Sequence, residues 1–484
     1  MKRSFRSTIG RSVELTEDEI ENLKHGSWMI DCTRLELKQR GHECPTYSGP
    51  GSLRQDEERQ LVYKIYATGP DKFQTFCHDE SEPPGTVLSE HAYYDLAATD
   101  SKGREWHSER ILPGVTNWGD SKELVVEGRV DSLSCQGEIP EEIRVDGCGL
   151  SFVVFDTVRI PTNAHTSEHR HVAGWSRSHR YHLDAWRFRA AGLRFLLSND
   201  RNDRLEINFA TDSADFPLYL EERVLEALFF VLGRPLYPTI TSRRIGQQTS
   251  CTLSSHRPHL FGVRHQPPLN IIHFSHPKTG KPTAEPYRKL FDKYLAYTLP
   301  YKKRQHPLWG QLNAAYEASA GTFINSQALT LAVAIESILG SEFPDLGKPS
   351  TTECEEIDAA IKYWDAWNGT PGLKERIEGS IIRQLKQSRA GDKMRVLAKR
   401  GAITAEAAKA WQKLRNANVH AYQRPSGHLR QLLSIVQSLF YQLVFYAIGY
   451  RGCYHDYGTL GWPLRQYPPS KEERATGEEI EHPE

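Results

Sequence analysis

Ten residues late in the chain, WQKLRNANVH at 411–420, bring an arginine, an amide and an imidazole together at helical spacing. Read as a helix at about 100° per residue, Ala407, Trp411, Leu414, Ala421 and Tyr422 fall on one apolar stripe. Lys409, Lys413, Asn416 and His420 fall on the opposite one. Asn416 and His420 stand four apart and share a face. Arg415 leaves from the edge of the apolar stripe, on an arm long enough to reach the polar side or a partner chain. An imidazole moves protons near neutral pH. A guanidinium neutralises a phosphate whose charge is crowded in a transition state, through two parallel hydrogen bonds. An amide orients a phosphate oxygen or fixes the imidazole tautomer. These are residue types suited to phosphodiester cleavage without a metal. The same spacing also arises on ordinary solvated helices, so the elements around it must decide.

Those elements are helical. Beyond Pro307, segments near 308–341, 353–367, 372–389, 392–400, 404–423 and 427–450 carry helical periodicity, separated by Gly or Gly-Pro breaks. They make an all-α domain over 308–450, most simply a bundle. Its early helix holds Glu336 among Leu329, Ala332 and Val333, so this carboxylate is expected to be partly buried and to need a partner. A structural salt bridge is one role for it; orienting Arg415 or His420 is the other. The stretch 374–430 has 14 basic residues against four acids, net +10 in a chain whose 61 bases and 61 acids cancel. A solvated helix surface accounts for this, and so does an anionic partner whose phosphates replace released counterions.

The first half reads as strands, with 61–66, 124–127, 152–155 and 205–209 short and β-branched or aromatic. Residues 100–103 and 198–200 read as connections between strands. The fold class expected is therefore α+β and multidomain: a β-rich, sandwich-like or barrel-like N-terminal domain over 1–257, closed by a helix at 218–232, and then the helical bundle. Eight of the 27 prolines crowd between Pro258 and Pro307, which reads as an ordered connecting arm over 258–307. Residues 451–484 read as a C-terminal tail, disordered from Ser470.

Zero formal charge excludes a global field toward nucleic acid or membrane. Eight scattered cysteines suggest no disulfide framework, and the N-terminus has no apolar stretch of a signal peptide. The uncharged run at 431–450 is long enough to raise a membrane span, but Ser434, Gln437, Ser438 and Gln442 interrupt it. It reads as a core or dimer-interface helix, and the chain as cytoplasmic with no membrane. Phosphate-binding loops, dinucleotide fingerprints, HExxH and GxSxG motifs are absent. His165, His169, His171, His179 and His182 cluster, but Arg170, Arg177 and Arg180 between them disfavour a cation. Cys251 with His256, His259 and His265 is a similarly weak set. No metal and no cofactor is expected.

Arg-Asn-x-x-x-His in a late helix of an all-α domain resembles the R-x4-6-H signature of HEPN (higher eukaryotes and prokaryotes nucleotide-binding) domains, where a polar residue follows the arginine. Residues 323–336, FINSQALTLAVAIE, look like that family's first long helix with its acid. The resemblance covers about 308–450. A β-rich domain before such a bundle is similar to the ApeA-like antiphage defence proteins; residues 224–235, VLEALFFVLGRP, look like the helix and turn of their N-terminal region. This resemblance implies a metal-independent endoribonuclease of antiviral (antiphage) defence, with its site composed at a homodimer interface. In it Arg415, Asn416 and His420 are catalytic, Lys409, Lys413 and Arg424 bind RNA, and Glu336 is the candidate orienting acid. Attack by the 2′-hydroxyl is implied, on an RNA substrate of which transfer RNA is one candidate. The N-terminal domain would sense a phage-derived trigger or restrain the nuclease. A non-catalytic HEPN module that binds nucleotide, RNA or protein is the alternative. A ligand-binding receptor with a helical dimerisation stalk is a third.

Overall fold

The computed structural model describes residues 15–40, 46–68, 89–112, 114–117, 123–139, 147–164, 168–172, 175–179, 183–200, 203–213, 215–255, 266–270, 284–317, 323–380, 386–419 and 426–470. The chain opens with helix α1 (Glu17–His25), β1 (Met29–Gln39), β2 (Thr46–Gln55), β3 (Leu61–Thr68) and β4 (Tyr94–Asp100). Strands β5 (Glu105–Ile111), β6 (Gly114–Asn117), β7 (Glu123–Val130), β8 (Ser132–Glu138) and β9 (Cys148–Val154) follow. Then come β10 (Glu168–Val172), β11 (Trp175–His179), β12 (Ala185–Ala190), β13 (Leu193–Asp200) and β14 (Arg204–Thr211). Helix α2 (Leu220–Leu232) precedes β15 (Ile240–Ile245) and β16 (Gln248–Ser254).

Among the described residues, fourteen of these strands form one continuous antiparallel sheet, ordered β12-β13-β14-β9-β15-β16-β8-β5-β4-β1-β2-β3-β7-β6. The antiparallel, β-rich half expected from the sequence is thus present, as a single ladder rather than two separately laddered sheets. The β5–β8 link rests on only two residue pairs, Trp106 with Cys135 and His107 with Ser134. The core of this unit gathers Trp28, Trp106, Leu35, Leu53, Ile65 and Leu133. The Trp28 and Trp106 rings meet edge to face, 6.1 Å apart. Residues 198–200, read as a connection, instead lie in β13 and pair with Glu206, Leu205 and Arg204 of β14. Their polar side chains mimic turn composition, but the ladder continues through them.

The helical part comprises α3 (Glu285–Thr298), α4 (Pro307–Glu317), α5 (Ile324–Ser341), α6 (Thr351–Asp365), α7 (Pro371–Ser380), α8 (Ala390–Lys399), α9 (Ala405–Val419) and α10 (Ser426–Ala447). A hairpin of β17 (Gly452–His455) and β18 (Leu464–Tyr467) ends it. The chain separates into two compact units, one of Met1–Pro217 with Leu236–Phe261, the other of Leu218–Pro235 with Gly262–Glu484. Helix α2, assigned from sequence to the β-rich domain, therefore belongs to the helical unit, and the chain returns afterwards for β15 and β16. Its run from Ala227 to Val231 is fully buried, as a stretch apolar on every side must be.

Two other boundaries differ from the sequence reading. The proline-rich arm contains α3, whose Tyr287, Leu290, Phe291, Tyr294 and Leu295 are buried. Pro286 stands in its first turn, where a missing N–H costs no helical hydrogen bond. The segment from 451, read as a tail, carries the β17–β18 hairpin with Tyr454, His455, Tyr457 and Tyr467 buried. Residues 471–484 lie outside the described residues.

Helix α10 is the hub of this unit. Phe445 meets Phe230 at 6.2 Å, Tyr450 at 4.9 Å, Tyr454 at 5.7 Å and Tyr467 at 5.2 Å. No residue from Leu432 to Ile448 is exposed in a single chain. Of the two places the sequence offers this uncharged helix, the core or a dimer interface, the structure gives the core of its own unit. Among the described residues no helix is long and apolar enough to cross a membrane.

Candidate functional site

Helix α9 is positioned by its apolar stripe. Ala407, Ala410, Trp411 and Leu414 are buried, and the Trp411 indole N–H donates to the Ala332 carbonyl of α5 at 3.4 Å. The Thr404 hydroxyl accepts from the Ala407 N–H at 3.2 Å and caps the helix start. Lys409, Gln412, Lys413, Arg415 and Asn416 are left exposed, as the periodicity requires.

Arg415 turns toward α5. Its Nε forms an ion pair with Glu336 Oε1, a charge contact rather than an aligned hydrogen bond. The two side chains are 49% and 33% exposed, so the guanidinium keeps a face open to a ligand while one edge is held. Val333 and Leu329, one and two turns before Glu336, are 54% and 45% exposed. The structure thus brings Glu336 to Arg415 and places Lys409, Lys413 and Asn416 on the exposed side of the same helix. His420 and Arg424 lie outside the described residues.

The basic excess of 374–430 is not a single patch. Lys393 is buried, donates to the Leu339 carbonyl at 2.8 Å, and has its pKa lowered by desolvation, with Lys348 adding to the effect. Lys386 pairs with Asp358, Arg395 with Asp392, and Arg400 donates to the Tyr446 hydroxyl at 3.3 Å. Lys409 and Lys413 have no such partner among the described residues, so their charge stays available to a phosphate.

A second polar constellation escaped the sequence reading. Arg223 and Glu226 of α2 are fully buried and joined at 2.5 Å, and Arg223 also donates to the Lys303 carbonyl at 2.5 Å. Burial pushes the Glu226 carboxyl up to about 7, although Arg223 pulls the other way. His306, 6% exposed, accepts from the Leu308 N–H at 3.2 Å through Nδ1. Burial, with Arg223 nearby, lowers its pKa to about 4. Two charges three residues apart inside RVLEALFFVL were the available signal. These groups are sealed from solvent and serve the helical core.

Of the His-rich segment, the backbone of β10 and β11 forms a two-stranded hairpin, and its side chains lie outside the described residues, as do His256, His259 and His265. Among the described residues no group of three His, Cys, Asp or Glu side chains is placed to hold a metal ion. Comparison with protein-family models, with curated proteins and with solved structures gives no match to this chain.

Proposed function

We propose that the helical unit is a metal-independent endoribonuclease acting at α9. The observation that carries this reading is Arg415, half exposed, held by Glu336 and flanked on one helix by Lys409 and Lys413, which have no partner among the described residues. A fixed guanidinium beside free cations suits a phosphodiester whose charge grows during reaction. In this reading His420 takes the 2′-hydroxyl proton and the 2′-oxygen bonds to phosphorus. The P–O5′ bond breaks and its oxygen is protonated as it leaves. The products are a 2′,3′-cyclic phosphate and a 5′-hydroxyl, so DNA is not a substrate. Asn416 orients the phosphate or the imidazole, and Lys409, Lys413 and Arg424 hold flanking phosphates.

A homodimer that composes the site from two motifs belongs to the same proposal, as do a sensing β-rich unit, a phage-derived trigger and antiviral defence. The exposed Leu329 and Val333 on the Glu336 side of α5 support a second protomer there, now that α10 is covered by its own unit. The test is incubation of the full chain with total RNA in excess EDTA, with ends mapped, against Arg415→Ala and His420→Ala. Cyclic-phosphate ends lost in both variants support the reading. RNA that is bound but uncut by the wild type would instead assign a binding module.

A further inference from the structure

Within the helical unit, α4, α5 and α10 line a half-open cavity of about 600 Å³. That volume suits a small organic ligand. Its floor is apolar and aromatic: Leu331, Tyr316, Phe440 and Tyr441 are all buried. Gln327 of α5 and Gln437 of α10 add amides to the lining, and at its rim Arg430 and Ser434 of α10 stand four residues apart and therefore share a face. Arg430 is exposed and makes no ion pair or hydrogen bond among the described residues, and the same holds for the Ser434 hydroxyl. A guanidinium with no anion on it among the described residues, at the rim of an apolar chamber, is half of a recognition pair.

From this juxtaposition we infer that the cavity is a binding site for a small amphipathic anion. The ligand class is an aryl or alkyl body carrying one carboxylate or sulfonate. The apolar part fills the chamber between Leu331 and Phe440, and the anionic group meets Arg430, with Ser434 donating a further hydrogen bond. Neither phosphate-backbone binding nor cleavage at α9 is needed for this, so the site stands apart from the ribonuclease reading. A nucleic-acid phosphate would sit on open surface, whereas this chamber rewards a ligand that removes apolar area from water.

The experiment uses the full chain and two fluorescent probes of one shape: 1-anilinonaphthalene-8-sulfonate and its uncharged relative N-phenyl-1-naphthylamine. The expected result is one saturable site with a clear preference for the sulfonate. Arg430→Ala weakens sulfonate binding by roughly tenfold, as loss of a charge-assisted contact does, and leaves the neutral probe unchanged. Leu331→Trp fills the chamber and abolishes both. Ser434→Trp, at the half-buried wall, is the second filling variant should Leu331→Trp fail to fold. Decanoate competes with the sulfonate in the wild type. The proposal is overturned by sulfonate binding that never saturates, or by equal affinities in the wild type, Arg430→Ala and a folded filling variant.

Discussion

Glu336 of α5 grips the Nε edge of Arg415 on α9, and leaves the rest of the guanidinium half exposed. Such a pair in partial solvent contributes little to stability, within about 1 kcal/mol. Its consequence is orientation. An arginine on a free arm samples many rotamers, and one tethered at Nε presents its terminal nitrogens in a narrower range.

The first prediction separates charge from orientation. Arg415→Ala lowers RNA cleavage by roughly 10²–10³-fold, the usual loss of a transition-state donor, with the unfolding midpoint nearly unchanged. Glu336→Gln keeps the arginine but frees it, and lowers cleavage about tenfold, mainly in kcat. Single-turnover cleavage and urea unfolding on the same preparations check this. Full cleavage by folded Arg415→Ala would remove the motif from the chemistry.

Leu414 lies beside Arg415 in sequence and is completely buried. Leu414→Ala deletes core methyls and leaves a cavity, so unfolding free energy falls by roughly 2–5 kcal/mol. Adjacent positions on α9 thus give opposite phenotypes: activity without stability at Arg415, stability first at Leu414. Equilibrium denaturation of both variants tests the contrast. A loss under 1 kcal/mol at Leu414 would mean that α9 packs differently.

Helical periodicity made α5, α9 and α10 legible in the sequence, because one buried stripe recurs over several turns. It also marked Glu336 as needing a partner and left Arg415 and His420 both open, since projection shows faces and not neighbouring helices. Proline density hid α3, because Pro286 in a first turn breaks nothing. The four-residue strands β17 and β18 were too short to show alternation. The covering of α10 was out of reach for a different reason. Its lid joins Phe230 of α2, far earlier in the chain, to Tyr450 and Tyr467 beyond the helix, and only packing brings the first to the other two. Arg430 reads as one more surface base until the chamber behind it is seen.

In the β-rich unit, acid stability depends on Glu19. Its carboxylate accepts from Arg104 at 2.6 Å, from Lys102 at 2.9 Å and from the Thr16 N–H at 2.8 Å, fastening α1 to the β4–β5 turn. Burial alone would raise its pKa; the hydrogen bonds from Arg104, Lys102 and Thr16 outweigh burial and hold it at about 2. A carboxylate depressed in the folded state stabilises above its ordinary value of 4.5 and loses that contribution as pH falls toward 2. Glu19→Gln is expected to flatten this part of the acid profile. Urea unfolding at pH 7 and pH 3 reads it, and identical pH dependence in the variant would refute the assignment.

In the helical unit, His306 is the group expected to respond to acid. Neutral Nδ1 accepts from the Leu308 N–H at the start of α4, and the ring packs edge to face on Tyr301 at 4.8 Å. Protonation removes that acceptor and places a charge in a buried site near Arg223. The folded pKa of about 4 lies below the ordinary 6.5, so the folded state binds fewer protons than the unfolded one between these values. Stability present above pH 6.5 is therefore lost as pH falls to 4. Glu226 acts in the opposite sense, because its raised pKa near 7 lets the folded state gain a proton as pH falls from 7 to 4.5. The net slope is the difference between the two. His306→Asn keeps a side-chain oxygen that can accept from Leu308 and cannot be charged. Hydrogen exchange of α4, followed by mass spectrometry at pH 7 and pH 5, should show opening in the wild type that exceeds that in His306→Asn at the lower pH, after correction for intrinsic exchange. Equal opening at both pH values in both proteins would show that this histidine does not govern the acid response of α4.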